Sequence, residues 1–435
     1  MKMSLHARLD LWSVSLACIT WMTCLNSVQA APATGHAIDG LAGSEFTFTA
    51  KAGSVSTADG NSVYFWGYAP GNGPAQYPGP TLLLVQGQQV AITLTNELPV
   101  ATSLLFPGMN GKPSVTGGGT AGALTMEAVA GGPAVTYSFT ASEPGTYQFY
   151  SGTQPDLQIE MGLVGTIIVY PAVAGVKIPN RAYGHTNTAF AHEYLFFLSE
   201  MDESIHVEVE KQVLTGQPIV VDMTRRSPVY WFINGRTAPD TMLGPGSEAP
   251  WLPAQPYDCM PIFQAGDDVL MRVVGGGRDP HPFHHHGNHA RTVARDGRLL
   301  ATSATSGPDL QQFHFTVPST PGGTVDAIFN WTGAGLGWDV YGHNPGDPLA
   351  PGEDPASHGL PFPVVLPNDQ NLTFGQMFSG SPFLGSSAGL PPGQGGFNAS
   401  GGFMYMWHSH NEKEIVNNNV FPGGLMTMAL ILPRQ

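Results

Sequence analysis

Two distant segments of this chain spell the same plan. Residues 80–94 read as an apolar strand, a tight turn at Gly87 and an alternating strand through Val90, Ile92 and Leu94. Residues 260–274 repeat that plan around Gly266. Each copy continues into an aromatic strand, with Tyr147, Phe149 and Tyr150 in the first and Tyr405 and Trp407 in the second. A glycine turn and a further apolar strand close each copy, over residues 162–170 and 423–432. Period-two alternation marks half-buried strands, and a long-range repeat of this kind requires two similar β-units, each with its own core. With 55 Gly, 38 Pro and only 11% charged residues, the composition favours turn-rich β architecture over helices. The expected fold is all-β, two sandwiches over residues 36–173 and 185–435, with residues 171–186 as the linker. Within the second unit, residues 342–402 form a Gly/Pro-rich insertion. An insertion of that length serves as a cover, lid or partner surface, or else is disordered.

The formal charge of −15 and the lack of any basic run argue against nucleic acid as a partner. Residues 1–30 read as an export signal: Lys2 and Arg8 are followed by an apolar stretch over 11–25 and a small-residue cleavage site at Val28-Gln29-Ala30. Cleavage there removes Cys18 and Cys24, leaving Cys259 as the one thiol and no internal disulfide. No other segment is long and apolar enough to span a bilayer. The expected location is the periplasm or the exterior.

Chemistry concentrates in two histidine pairs. In the run His281-Pro282-Phe283-His284-His285-His286-Gly287, an extended backbone sends His284 and His286 to one face and His285 to the other. A second pair, His408 and His410, flanks Ser409 near the C-terminus. Two such strands side by side would bring four imidazoles toward one ion. That donor set suits copper, with zinc or nickel as alternatives. His285 and His289 are expected to be structural or to support the ligands. His185, His192, His206, His314, His343 and His358 stand singly and are read as surface or core residues, and Asp202, Glu203, Glu208 and Glu210 as a solvated face. Met404, Met406, Met426 and Met428 alternate with apolar residues and are assigned to the sandwich core.

At these residues the chain resembles the multicopper oxidase superfamily, which is built from cupredoxin Greek-key sandwiches. Tyr77-Pro78-Gly79-Pro80, Gly145-Thr146-Tyr147, Gly162-Leu163-Val164-Gly165, Phe232-Ile233-Asn234-Gly235 and the 281–287 run fall in that family's order. Two sandwiches resemble its two-domain members. The resemblance implies that His281 matches a ligand of the blue type 1 copper, while His284, His286, His408 and His410 match ligands of the three-copper cluster. It also exposes departures. Ser409 replaces the type 1 cysteine, and Glu414 stands where a further type 1 histidine belongs. In the first unit, Thr102-Ser103-Leu104-Leu105-Phe106-Pro107-Gly108 and Tyr150-Ser151-Gly152 occupy the family's histidine motifs without a histidine. The metal candidates are therefore His284, His286, His408, His410 and His281. Two functions follow as expectations: an altered copper oxidoreductase, completed by another copy or by a second cupredoxin subunit, or a non-catalytic copper-binding or scaffold protein.

Overall fold

The computed structural model describes residues 35–244, 249–335, 337, 339–344, 346–350, 352–360, 381–383 and 402–432. The expected export signal, and most of the insertion beyond residue 360, lie outside these residues.

Each half is a pair of sheets closed over an apolar core. In the first, a five-stranded sheet runs Ser62–Pro70, Glu45–Ser56, Gln88–Asn96, Val135–Ala141, Ser114–Gly117. It faces a four-stranded sheet of Leu41–Ala42, Leu82–Val85, Val164–Tyr170 and Gly145–Tyr150. Strand Val135–Ala141 alternates buried and half-buried residues throughout, and its Val135, Tyr137 and Phe139 enter the core.

The second half repeats the pairing scheme. Glu45–Ser56 lies parallel to Gln88–Asn96, as His192–Met201 lies parallel to Asp268–Gly275. Leu82–Val85 lies parallel to Val164–Tyr170, as Ile262–Gln264 lies parallel to Met426–Leu432. The turns of the sequence repeat correspond as well. Gly87 and Gly266 both adopt positive φ, 86° and 84°, a conformation that a Cβ disfavours. The repeat read from sequence is thus a repeat of topology, and the all-β Greek-key sandwich class holds for both halves.

The sheet containing His192–Met201, Asp268–Gly275 and Thr324–Asn330 is buried on both faces. One face supplies Phe196, Leu198, Met271 and Phe329 to the second core. The other face presents Leu195, Phe197 and Val274 to Val164, Ile168 and Tyr170 of the first half. Buried polar contacts fix this junction. Arg272 donates to Glu193 at 2.6 Å and to Thr146 at 2.9 Å, and Tyr77 donates to Ser199 at 2.7 Å. The outer sheet, with His281–His285 and Gly402–Ser409, therefore has a face turned away from the first half.

The longest helix among the described residues departs from the all-strand expectation. Helix Glu203–Leu214 begins at Asp202, whose buried carboxylate accepts from Ser204 N at 2.9 Å and also from Ser227 N. Asp202 is thus a helix cap, not part of a solvated face. Ile205 and Val209 of this helix enter the core of the first half, so the second half of the sequence completes the first sandwich. The methionines also correct the expectation: Met426, with Met242 and Met406 against it, forms a small cluster with Ala238 and Ile415, apart from the main core.

Candidate metal centre

The outer sheet aligns the two histidine pairs. Strands His281–His285 and Gly402–Ser409 run antiparallel with His284 directly opposite His408. Their ring centroids are 5.4 Å apart, while His284–His286 is 4.7 Å and His286–His408 is 5.2 Å. The alternation that sends Phe283 and Trp407 into the core turns His284 and His408 to the opposite face. Nitrogen atoms of His284, His286 and His408 all lie within 4.8 Å of one another.

Hydrogen bonds orient two of these rings. His408 Nδ1 lies 2.6 Å from the Ser409 carbonyl, and His284 Nδ1 lies 2.7 Å from the Phe315 carbonyl. A carbonyl only accepts, so each Nδ1 carries the proton and each Nε2 keeps a lone pair. That is the tautomer a metal-ligating imidazole requires. The His408 Nε2 meets the His286 Nε2 at 3.3 Å. Burial, together with the neighbouring His286 and His408, pushes the His284 ring down to about 4, so it is neutral near pH 7. His408 is likewise lowered, chiefly by burial. Two carbonyl-anchored, neutral imidazoles converging with a third, His286, fit a copper ion.

His410 stands at the rim. Its side chain is 51% exposed, its ring is 4.9 Å from that of His284, and its Nδ1 lies 3.3 Å from Glu412. It neighbours the three-histidine group but its nitrogens are not within it. His285 faces inward as expected: its Nε2 accepts from Ala290 N at 2.9 Å, and its ring packs edge-on against Phe329 and Trp407. Burial drives it down to about 3. His289 rests against Phe315.

His281 is not brought to this group. It is fully enclosed, with Nε2 2.8 Å from Glu200 and Nδ1 2.9 Å from Glu414. Burial alone would lower its pKa, but the hydrogen bonds and charges of the two carboxylates outweigh burial and raise it to about 9. Engaged by carboxylates at both nitrogens, His281 lies apart from the three-histidine group in this structure. Ser409 Oγ donates to the same Glu414 oxygen at 2.5 Å. The three residues that the resemblance assigns to type 1 copper positions therefore meet in space as a serine, a carboxylate and an imidazolium. Glu200 extends the network to Arg226, which also pairs with Glu160 and, at 3.0 Å, with Asp279. The thiol of Cys259 lies elsewhere in the core, donating to the Ile233 carbonyl and pushed up by burial.

In the first half, apolar packing stands where ligands would. Leu105 and Tyr150 form an antiparallel bridge, with Leu105 N donating to Tyr150 O at 2.8 Å. Leu104 and Phe106 belong to the core. A Cβ on Gly152 would come within 2.7 Å of the Leu105 side chain. The space is filled.

A second group was not legible as a site. His343 and His358, read singly from sequence, meet Asp339 and Glu353. The i, i+4 spacing of Asp339 and His343 was the one local signal; the rest depends on how the loop folds.

Paired Greek-key sandwiches and an imidazole cluster on the outer sheet define a cupredoxin-type protein. The Multicopper oxidase family matches residues 50–173. Laccase abr2 of Aspergillus fumigatus is 32% identical over 106 residues, 24% of this chain and 16% of that protein. L-ascorbate oxidase of Brassica rapa subsp. pekinensis is 35% identical over 113 residues, 26% of this chain and 19% of that one. These matches span less than a fifth of either relative's own length. The fold is similar to that of the blue copper oxidase from Nitrosomonas europaea, with a TM-score of 0.56 at 18% identity over 89% of this chain and 85% of that one. It is equally similar to multicopper oxidase mgLAC, with a TM-score of 0.56 at 17% identity over 90% and 86%. Residues 50–173 thus match the multicopper oxidase family, and the fold of the described residues is similar to that of multicopper oxidases.

Proposed function

We propose that this chain is an exported copper-binding protein with a histidine-only site, acting as an altered oxidoreductase. His284, His286 and His408 are the ligands, and His410 closes on the ion from the rim. The observation that carries this reading is the 3.3 Å approach of the His286 and His408 Nε2 atoms beside a His284 ring whose Nδ1 is tied to a carbonyl. Copper bound there would supply a one-electron couple. The chain's own contribution is to hold the His284 and His408 rings in one tautomer, with His286 beside them, on the sheet face turned from the first half. Since Leu105, Pro107, Tyr150 and Gly152 offer no imidazole, further copper would need donors from a second cupredoxin subunit or an assembly of copies. The export reading rests on the sequence of residues 1–30.

A second reading, a non-catalytic copper-binding or scaffold protein, is favoured by one observation. The Ser409–Glu414–His281–Glu200 network leaves no thiolate to pass electrons inward. Elemental analysis and electron paramagnetic resonance of the purified chain test both. One copper per chain with a type 2 spectrum is expected; retention of that spectrum in the His284→Ala/His408→Ala double variant would refute the site. Oxidase activity with an external electron donor, alone or with a co-purified cupredoxin chain, separates the enzyme from the scaffold.

A further inference from the structure

The insertion begins with a loop that has its own donor set. After strand Thr324–Asn330, Trp331 enters the second core, its carbonyl accepting from Gly266 N at 2.7 Å. Tyr341 joins the same core, so the loop is pinned at both points. Between and beyond these anchors lie Asp339, His343, Glu353 and His358. Asp339 and Glu353 are buried, and the two histidine side chains are 19% and 18% exposed.

Four atoms converge: Asp339 Oδ2, Glu353 Oε1, and the Nδ1 atoms of His343 and His358. His343 Nδ1 is 3.0 Å from Asp339 Oδ2 and 3.2 Å from Glu353 Oε1. His358 Nδ1 is 2.8 Å from Glu353 Oε1 and 3.8 Å from Asp339 Oδ2. These are four of the six edges of a tetrahedron, and one ligand atom from each of the four residues lies within 4.8 Å of the others. A tetrahedral zinc site with metal–ligand bonds near 2.0–2.1 Å has edges of about 3.3 Å. The fit is close.

The surroundings also suit ligands. Asp339 accepts from Tyr341 N at 2.8 Å and Gly359 N at 2.8 Å, and Glu353 Oε2 accepts from Ala350 N at 2.7 Å. Backbone donors therefore fix both carboxylates, leaving Glu353 Oε1 toward the centre. His358 Nε2 lies 2.9 Å from the Asp347 carbonyl, which places a proton on Nε2 and leaves Nδ1 for a metal. Two carboxylates would balance the charge of a divalent ion, with the imidazoles adding nitrogen donors to the oxygen ones. That mixture selects against Ca2+ and Mg2+, which take oxygen.

We infer that Asp339, His343, Glu353 and His358 form a closed, four-ligand structural site for a divalent transition-metal ion of the Zn2+ type. It is separate from the imidazole cluster of the outer sheet and holds the start of the insertion against the second sandwich. The loop leaves its sheet at Asn330, whose carbonyl accepts from Asn288, two residues past His286. The ion thus stiffens the segment that adjoins the histidine run.

The test uses the full chain carrying His284→Ala and His408→Ala, which removes the competing site, treated with chelator and titrated with Zn2+ by calorimetry and thermal melting. One Zn2+ per chain and a rise in melting temperature are expected, with Ca2+ giving neither. Limited proteolysis within residues 339–360 should slow by at least tenfold when Zn2+ is added. Introducing His343→Asn and Glu353→Gln into that background should abolish the binding while leaving the metal-free melting curve recognisably cooperative. Two results would overturn the inference: no Zn2+ binding in the parent background, which makes the cluster an ion-pair network of imidazolium and carboxylate, or binding undiminished in the His343/Glu353 variant. If that variant does not fold, His358→Asn alone is used with the same two outcomes.

Discussion

The two sandwiches place different chemistry on the same backbone pairing. In the second, His284 faces His408 across two antiparallel strands. In the first, Leu105 faces Tyr150. The inward neighbours behave alike, since Phe106 and His285 are both buried and aromatic in shape. What differs is the outward layer, where rings with lone pairs on one side correspond to a leucine folded over a glycine on the other. The same backbone pairing thus carries imidazoles in one sandwich and apolar packing in the other. Residues 50–173, which match the family, hold the apolar version.

The strongest way to break this comparison is to remove the lone pairs. His284→Ala with His408→Ala leaves only His286 of the converging three, and copper affinity should fall by more than about 100-fold, since loss of a mere supporting partner already costs 10–100-fold. Equilibrium dialysis against a competing chelator measures it. The same experiment on Leu105→Ala should leave copper binding unchanged. A large loss there would mean that the first half contributes to the site after all.

Next in size is the network around His281. Glu414→Gln removes one carboxylate from a buried imidazolium, and breaking a buried pair on one side costs about 3–5 kcal/mol. Urea denaturation should show that loss, with copper bound by His284, His286 and His408 as before. If copper binding disappeared while stability held, His281 and Glu414 would belong to the metal centre and not to the scaffold.

That network also sets a pH dependence with a definite sign. The His281 pKa is about 9 in the fold against an ordinary value near 6.5. The folded state therefore holds the proton more tightly than the unfolded chain. Its contribution is complete below pH ~6.5, declines as pH rises from there, and is gone once pH passes about 9. A difference of this kind corresponds to on the order of 3 kcal/mol, and denaturation midpoints at pH 6 and pH 9.5 read it out. In Glu414→Gln the slope should flatten, because one of the two carboxylates that raise the pKa is gone.

The sequence made the strands and the facing of the pairs legible, because period two needs only local pattern. Thus Val135, Tyr137 and Phe139 appear where alternation puts them, and His284 and His286 share a face while His285 turns inward. The partners of His281 were not legible. Glu200 and Glu414 lie 81 and 133 residues away, and a carboxylate in a histidine's place reads as a lost ligand until the fold shows what it holds. Helix Glu203–Leu214 was hidden for a different reason. Composition averaged over a Gly- and Pro-rich chain conceals a single twelve-residue helix, and only the fold reveals that its Ile205 and Val209 serve the other half's core. His343 and His358 were hidden by the loop, which brings them together through turns that carry no periodicity.

The smallest expected effect sharpens the comparison from the first half. Gly152 occupies the position that His410 holds in the second copy, and a Cβ there would press on Leu105 Cγ at 2.7 Å. Leu105 is only half-buried, so it can yield part of the way. Gly152→Ala should cost about 1–3 kcal/mol, the usual range for overpacking, with no change in metal content. Pairing it with Leu105→Ala should recover part of the loss, because the clash and the side chain that causes it are removed together. Recovery would show that this layer of the first half is held by leucine packing over glycine. Strictly additive losses would instead assign the strain at Gly152 to its backbone.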